Sequence, residues 1–210
     1  QRGLLCANHE RSTMQLLWPG ITMENAQRRA TAAHCAHEMA SQGVSIVEVR
    51  QEAGHWRTVL DSRYNRRISA RRSLIALSGP AAGHARLRTK ADPDAQRIVG
   101  TFNNCAGGMT PWGTLLTCEE NIHFYFTGDP AAHPEAAALA RYRFDGRPIY
   151  AWGRHVDRFD LQKEPNEPNR YGWVVEIDPY DPASTPVKRT ALGRFKHEGA
   201  TTAVSHDGRV

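Results

Sequence analysis

The sequence lacks the short motifs of several common enzyme classes. No HExxH, GxSxG, GxxxxGK[ST] or GxGxxG pattern occurs, which excludes zincin metalloproteases, α/β-hydrolases, P-loop enzymes and dinucleotide-binding enzymes. The four cysteines form no CxxC pair, which excludes a zinc ribbon. No apolar run approaches the roughly 18 residues that a membrane-spanning helix needs.

The chain also has no initiator Met and no signal peptide. It ends just after Asp207-Gly208, a turn pair that typically leads into another strand. From these ends we expect an internal piece of a longer protein. In that case the missing export signal gives no information about location.

Composition is that of an ordinary globular protein. Hydrophobic residues make up 40% of the 210 residues and charged residues 23%, with a net charge of +5. Arginines cluster between residues 63 and 72, but no aromatic residues alternate with them as in nucleic-acid-binding surfaces. We therefore expect no nucleic-acid partner. The cluster is interpreted as a solvated basic face, with attraction of phosphorylated small molecules as an alternative.

The pattern of short strands and turns predicts an all-β fold with helical insertions. Residues 44–60 alternate as a β-hairpin does, and residues 171–178 form a strand with which residues 187–194 pair. Thr22 is the predicted N-cap of a helix over residues 23–42, and a short helix is predicted at 133–140. Residues 143–169 are predicted to be a long surface insertion, and residues 201–205 a further strand.

The segment 100–126, GTFNNCAGGMTPWGTLLTCEENIHFYF, brings metal-type ligands together in one hairpin-sized stretch. Cys105 lies in a glycine-rich loop, and Glu119 and Glu120 follow a short apolar run. Carboxylates suit calcium, manganese or ferric iron, and a thiolate beside them argues for a transition metal. The alternative is a buried or disulfide-bonded Cys105 and two ordinary surface acids. Because adjacent strand residues point to opposite faces, at most one of the two glutamates faces a site.

A similar combination of strand end, turn and acid occurs three times, in Asn8-His9-Glu10, Cys118-Glu119-Glu120-Asn121 and Lys196-His197-Glu198-Gly199. A radial β architecture would aim acids from several sheets at one axis in this way. The spacing is irregular, however, and the first triplet taken alone is best interpreted as a surface turn. For Glu198 the alternative is a surface acid at the end of a hairpin.

The sequence resembles the PhoX-type alkaline phosphatases. The resemblance is carried by NNCAGGMTPWGTLLTCEEN and by YGWVVEIDPYDPASTPVKRTALGRFKHEGAT, and LLCANHE, VSIVEV, DSRYNRRI and SGPAAGHARL are similar to earlier blocks of the family, in the same order. The resemblance implies part of a six-bladed β-propeller over residues 1–210, with both ends outside the chain. It also implies hydrolysis of phosphomonoesters, and export to the periplasm or beyond.

The resemblance further implies an iron pair and calcium ions on the propeller axis. Matched by motif, the metal ligands in this chain are Cys105, Glu120 (or Glu119) and Glu198, while Asn104 is expected to assist at the substrate. We expect a monomer that acts on small phosphate esters. Two competing hypotheses are a non-catalytic propeller that binds a partner and a propeller phosphoesterase that uses calcium alone.

Overall fold

The computed structural model describes residues 1–209, which form two β-sheets with a few short helices and no closed barrel. The strands are β1 (Arg2–His9), β2 (Gly43–Glu52), β3 (His55–Thr58), β4 (Arg66–Ser69), β5 (Leu74–Ser78), β6 (Arg97–Val99), β7 (Asn104–Met109), β8 (Leu115–Glu119), β9 (Val174–Ile177) and β10 (Val187–Arg189). The helices are α1 (Met14–Leu17), α2 (Ala26–Arg29), α3 (Ala32–Ser41) and α4 (Ala136–Arg141). Short 3₁₀ turns cover Ala85–Leu87, Ile122–Tyr125, Trp152–Arg154, Asp157–Phe159, Glu167–Arg170 and Thr190–Leu192. No helix among residues 1–209 has the length and apolarity to cross a membrane.

The first sheet is centred on β2, which pairs with β1 along one side and with β3 and β4 along the other. The second sheet has the order β6-β5-β10-β9-β8-β7, and only the β5–β10 pair is parallel. The predicted hairpin over 44–60 is confirmed as β2 and β3, and the predicted pairing of 187–194 with 171–178 as β9 and β10. The β-rich part of the predicted fold class is therefore correct.

The two sheets pack against each other through apolar residues that alternate along their strands. Val44, Ile46 and Ile68 of the first sheet pack in one buried cluster with Ile75, Leu115, Val175 and Ile177 of the second. Strands with one buried face must cover it with another layer, and here each sheet supplies the cover of the other. This packing brings the edge strand β1 beside the edge strand β7.

The predicted helix over residues 23–42 is wrong in its bounds, because it divides into α2 and α3. Ala30 and Thr31 between them have extended backbone. Thr31, not Thr22, caps the long helix α3: its hydroxyl accepts a hydrogen bond from the His34 amide, and His34 Nδ1 accepts one from the Thr31 amide. This capping box starts a new helix where the composition alone suggested a continuous one.

The predicted surface insertion at 143–169 is also wrong, since this segment supplies much of the core. Tyr150, Trp152 and Phe159 are buried and pack on Phe102 and Tyr125. The 3₁₀ turns that carry these aromatic rings give no regular hydrophobic period. The burial of the rings therefore could not be predicted from this polar, proline-rich segment. The helix predicted at 133–140 occurs as α4, whereas residues 201–205 have no strand structure.

Candidate metal centre

The β7–β8 pair places Cys105 and Glu120 side by side. Asn104 pairs with Glu119, and the register then shifts at a β-bulge before Gly107 pairs with Thr117. Cys105 is the first bulge residue, and Glu120 immediately follows the last residue of β8. Bulges often redirect a side chain beside a functional site. Here the bulge accompanies the convergence of the Cys105 thiol and the Glu120 carboxylate.

The glycines after Cys105 permit this arrangement. A Cβ atom at Gly107 would overlap the carbonyl oxygen of Leu116 on β8, and one at Gly108 would lie 2.5 Å from the carbonyl oxygen of Ala200. A real side chain could tolerate neither of these two contacts. The Ala-Gly-Gly sequence therefore lets two neighbouring segments approach β7 closely, one on each side.

Asn8 fastens the edge of the first sheet to the edge of the second. Its Nδ2 donates a hydrogen bond to the carbonyl oxygen of Cys105 (3.1 Å), and its Oδ1 accepts one from the Thr117 hydroxyl (2.9 Å). Glu10 follows two residues later, just beyond the end of β1. Asn8 thus fixes where Glu10 enters the space in front of Cys105.

Glu10, Cys105 and Glu120 form a cluster, called here the acid–thiol cluster. One ligand atom from each residue lies within 4.8 Å of the other two, and all three side chains are partly exposed. The ion pairs among residues 1–209 do not include Glu120, and Glu10 pairs only loosely with Arg11, at 3.7 Å. Two carboxylates and a thiol thus converge with little compensating positive charge, which is a donor set suited to a metal ion.

The protein raises the pKa of the Cys105 thiol to about 11. Burial is the largest cause, and the negative charges of Glu10, Glu120 and Glu198 add to it. Without a cation, the site therefore keeps the thiol protonated. A metal ion inverts this electrostatic effect, because a coordinated thiol loses its proton.

Glu198 lies beside the acid–thiol cluster without being part of it. Its carbonyl oxygen accepts a hydrogen bond from the Ala106 amide (2.7 Å), and its charge acts on the Cys105 thiol. Its carboxylate is outside the 4.8 Å group and is exposed. The structure therefore brings Glu198 to the rim of the site.

Glu119 requires a correction, because the structure separates it from the cluster. Its side chain is completely buried, and its Oε1 lies 2.7 Å from the Lys188 ammonium. Its Oε2 accepts hydrogen bonds from the amides of Gly172 and Trp173, at 3.0 and 3.1 Å. Glu119 and Glu120 point apart, so Glu120 and not Glu119 lies in the acid–thiol cluster.

Asn104 is likewise in the interior, on the same face of the sheet as Glu119. Its Nδ2 donates to the hydroxyls of Thr101 (2.8 Å) and Thr117 (3.2 Å), while its Oδ1 is buried without a partner. Both hydroxyls donate their own protons elsewhere, to Glu119 and to Asn8. These hydrogen bonds therefore fix the orientation of the Asn104 side-chain amide. With no exposed surface on Asn104, a contact with substrate stays a prediction.

Glu10 is the site residue that sequence reasoning set aside as a surface turn. The signal that could have identified it is the repeated combination of strand end, turn and acid, which also marks Glu120 and Glu198. The neighbouring His9 does not join the site, because its Nε2 is hydrogen-bonded to the Ser45 hydroxyl at 2.9 Å. Cys118, the other cysteine of the 100–126 segment, is a buried free thiol on β8.

A cationic group, the Lys196 ammonium, lies near enough to Glu120 to feel the charge of its carboxylate. The Lys196 ammonium lies 3.3 Å from Asn121 Oδ1 and 3.2 Å from His123 Nδ1. Burial, followed by the charges of Lys196 and Arg143, lowers the pKa of His123 to about 4. His123 is therefore neutral near pH 7, and its Nδ1 accepts a hydrogen bond from Lys196.

Comparison with known proteins adds two findings. A family model described as alkaline phosphatase PhoX matches residues 1–210. The solved structure of Pseudomonas fluorescens PhoX in complex with vanadate, a transition state analogue, is 47% identical with a TM-score of 0.89. The alignment covers 99% of this chain and 35% of that one, so this chain spans about a third of the length of the solved protein. No curated protein matches the chain.

Proposed function

Because the chain belongs to the family of PhoX alkaline phosphatases, we propose that it is part of a metal-dependent phosphomonoesterase that releases inorganic phosphate from small phosphate esters. The observation that carries the proposal is the convergence of Glu10, Cys105 and Glu120. This convergence occurs in a chain 47% identical to a PhoX protein that was solved in complex with vanadate, a transition state analogue.

The acid–thiol cluster would hold a metal ion, with Glu198 at its rim. A phosphate ester carries negative charge, and the carboxylates would repel it unless a cation stood between them. Iron at the thiol and calcium at the acids are the metals we propose. When bound, such ions neutralise phosphate oxygens and lower the pKa of the attacking oxygen.

The remaining roles belong to the chain's own side chains. Asn8 holds the Cys105 carbonyl and thereby orients the thiol. The buried Oδ1 of Asn104 is a free acceptor that an ion or an ordered water molecule behind the cluster could use. Lys196 is partly exposed and adds a positive charge near Glu120, which would attract a phosphate group.

We further propose that the two sheets are part of the six-bladed propeller expected for the family. Two sheets meet here at the edges β1 and β7, and both edges contribute to one cluster, as blades around an axis would. The chain covers 35% of the solved PhoX chain, which is close to two blades in six. A structure of the full-length protein tests this arrangement. Location in the periplasm or outside the cell remains part of the proposal and rests on the family alone.

The test is the hydrolysis of p-nitrophenyl phosphate by the full-length protein with its metals, before and after EDTA. We expect activity that chelation abolishes and that Cys105→Ala lowers at least a hundredfold, while Cys6→Ala leaves it unchanged. Elemental analysis accompanies the assay. Full activity in Cys105→Ala with calcium alone would favour the calcium-only phosphoesterase. A protein without iron, calcium or activity would favour the non-catalytic propeller.

A further inference from the structure

Gln42 is a buried residue at the end of α3 whose amide is bonded at both ends. Its Oε1 accepts a hydrogen bond from the Tyr125 hydroxyl (2.6 Å), and its Nε2 donates one to the Ser12 hydroxyl (3.1 Å). Gln42 has no exposed surface and follows the last residue of α3 directly. A polar group in such a place is retained only when its bonds are satisfied.

Hydrogen bonds run from Gln42 in two directions, called here its two arms. The first arm, through the Tyr125 hydroxyl, leads to Glu120. Asn103 Nδ2 donates to the Tyr125 hydroxyl (3.1 Å), which directs the hydroxyl's own proton to Gln42. The Asn103 carbonyl oxygen accepts the Glu120 amide (3.1 Å), and its Oδ1 accepts the Asn121 amide (2.5 Å). Asn103 has a positive φ of 52°, a conformation that Asn adopts more readily than most residues. Its backbone and side chain together therefore hold the turn on which Glu120 sits.

The other arm leads to Glu10. Ser12 is two residues beyond Glu10, and its carbonyl oxygen also accepts a hydrogen bond from the Tyr150 hydroxyl, at 3.2 Å. The rings of Tyr125 and Tyr150 are stacked at 4.7 Å with 5° between their planes. Both arms therefore run through one rigid aromatic cluster.

We propose that Gln42 is a positioning residue for the metal centre, which sets the separation of Glu10 and Glu120 by fastening the two segments that carry them. The inference rests on the proposed function, since it takes the acid–thiol cluster to be a metal site. An amide satisfies both partners, because its oxygen accepts from the Tyr125 hydroxyl while its nitrogen donates to the Ser12 hydroxyl. The helical segment outside the two sheets thereby gains a role in assembling the site.

The experiment measures the binding of Co²⁺ alone to the metal-free, full-length protein. The absorption of a thiolate–cobalt bond reports coordination by Cys105. Gln42→Met keeps the volume and removes both hydrogen bonds, and Tyr125→Phe removes only the arm to Glu120. We expect each variant to lower Co²⁺ affinity by about tenfold, the lower end of the range found when hydrogen-bonding partners of metal ligands are removed. We expect the double variant to lose little more than either single variant.

Thr31→Ala is the matched control, because it weakens α3 at the opposite end. Thr31 is exposed and bonds only within its own cap. The Thr31→Ala variant should have a lower melting temperature but an unchanged Co²⁺ affinity. Gln42→Met with wild-type affinity, or Thr31→Ala with an equal loss of affinity, would overturn the positioning role and leave the phosphatase proposal standing. A wild-type protein without thiolate–cobalt absorption would overturn both.

Discussion

Lys188 and Glu119 form an ion pair with no exposed surface. The Lys188 ammonium lies 2.7 Å from Glu119 Oε1, donates to the Arg170 carbonyl oxygen at 2.9 Å, and stands 4.0 Å above the Tyr171 ring. The Thr101 hydroxyl completes the set with a hydrogen bond to the same carboxylate oxygen, at 2.8 Å. The pair joins β8 to β10 across the second sheet, so Glu119 stabilises the strand that Glu120 directly follows.

Breaking this pair should cost stability without removing the metal ligands. Lys188→Met leaves Glu119 as an uncompensated buried charge, a change that typically costs about 3–5 kcal/mol. Adding Glu119→Gln should restore part of the loss, because the unpaired charge is then gone. Urea unfolding of the three proteins measures this. Equal losses in Lys188→Met and the double variant would show that the pair does not behave as coupled charges.

The proximity of Cys105 and Glu120 could be predicted from the sequence, whereas the contribution of the distant Glu10 could not. Cys105 lies in β7 and Glu120 directly follows β8, and because a short connection joins these two strands, their proximity follows from ordinary antiparallel pairing. Glu10 joins them only because β1 and β7 meet edge to edge through Asn8, a contact across 97 positions of sequence. No periodicity within either strand encodes that contact. It became visible only when the two sheets were packed together.

The fold shows the same division. The hairpin of β2 and β3 was predictable because strand alternation and turn residues are local signals. The burial of Trp152 and Phe159 was not, because 3₁₀ turns place rings inward without a repeating pattern. The same holds for Gln42, whose importance depends on bonds to Ser12 and Tyr125 in distant segments.

Glu38 should make stability depend on pH. Burial raises its pKa to about 7, partly offset by the hydrogen bond from Trp152, and its Oε1 has no partner. The folded state therefore binds a proton that the unfolded state releases at a lower pH. This contribution to stability is fully present below pH 4.5 and is lost as the pH rises towards 7.

Glu38→Gln tests this dependence, because the amide keeps the shape and cannot ionise. With each pKa unit equivalent to about 1.4 kcal/mol, the variant should be more stable than wild type at pH 8 by on the order of 3 kcal/mol. At pH 4.5 the two proteins should unfold at nearly the same urea concentration. A difference that does not vary between these pH values would contradict the raised pKa.

Gly107→Ala should disrupt the site through the backbone. The added Cβ would meet the Leu116 carbonyl oxygen, so β7 and β8 would have to separate at the bulge beside Cys105. We expect lower metal content and a loss of stability of about 1–3 kcal/mol, the range for forcing an extra carbon into a packed site. Gly113→Ala is the control for a glycine in open space, although its φ of 90° also disfavours a side chain. Its metal content should stay normal, and equal metal loss in both variants would point to general misfolding.

Glu10→Gln distinguishes a metal ligand from a surface turn. The amide keeps the size of the side chain but removes the charge, and a neutral oxygen is a weaker ligand for a divalent ion than a carboxylate. We expect Co²⁺ affinity to fall at least tenfold while the melting temperature changes little, because Glu10 has only its loose pair with Arg11 to lose. The control is Glu52→Gln, which removes the charge of an acid at the end of β2, in the first sheet. The Glu52 side chain is 42% exposed and pairs with Arg50. If the two variants bind Co²⁺ equally well, Glu10 is a surface acid and the cluster is reduced to Cys105 and Glu120.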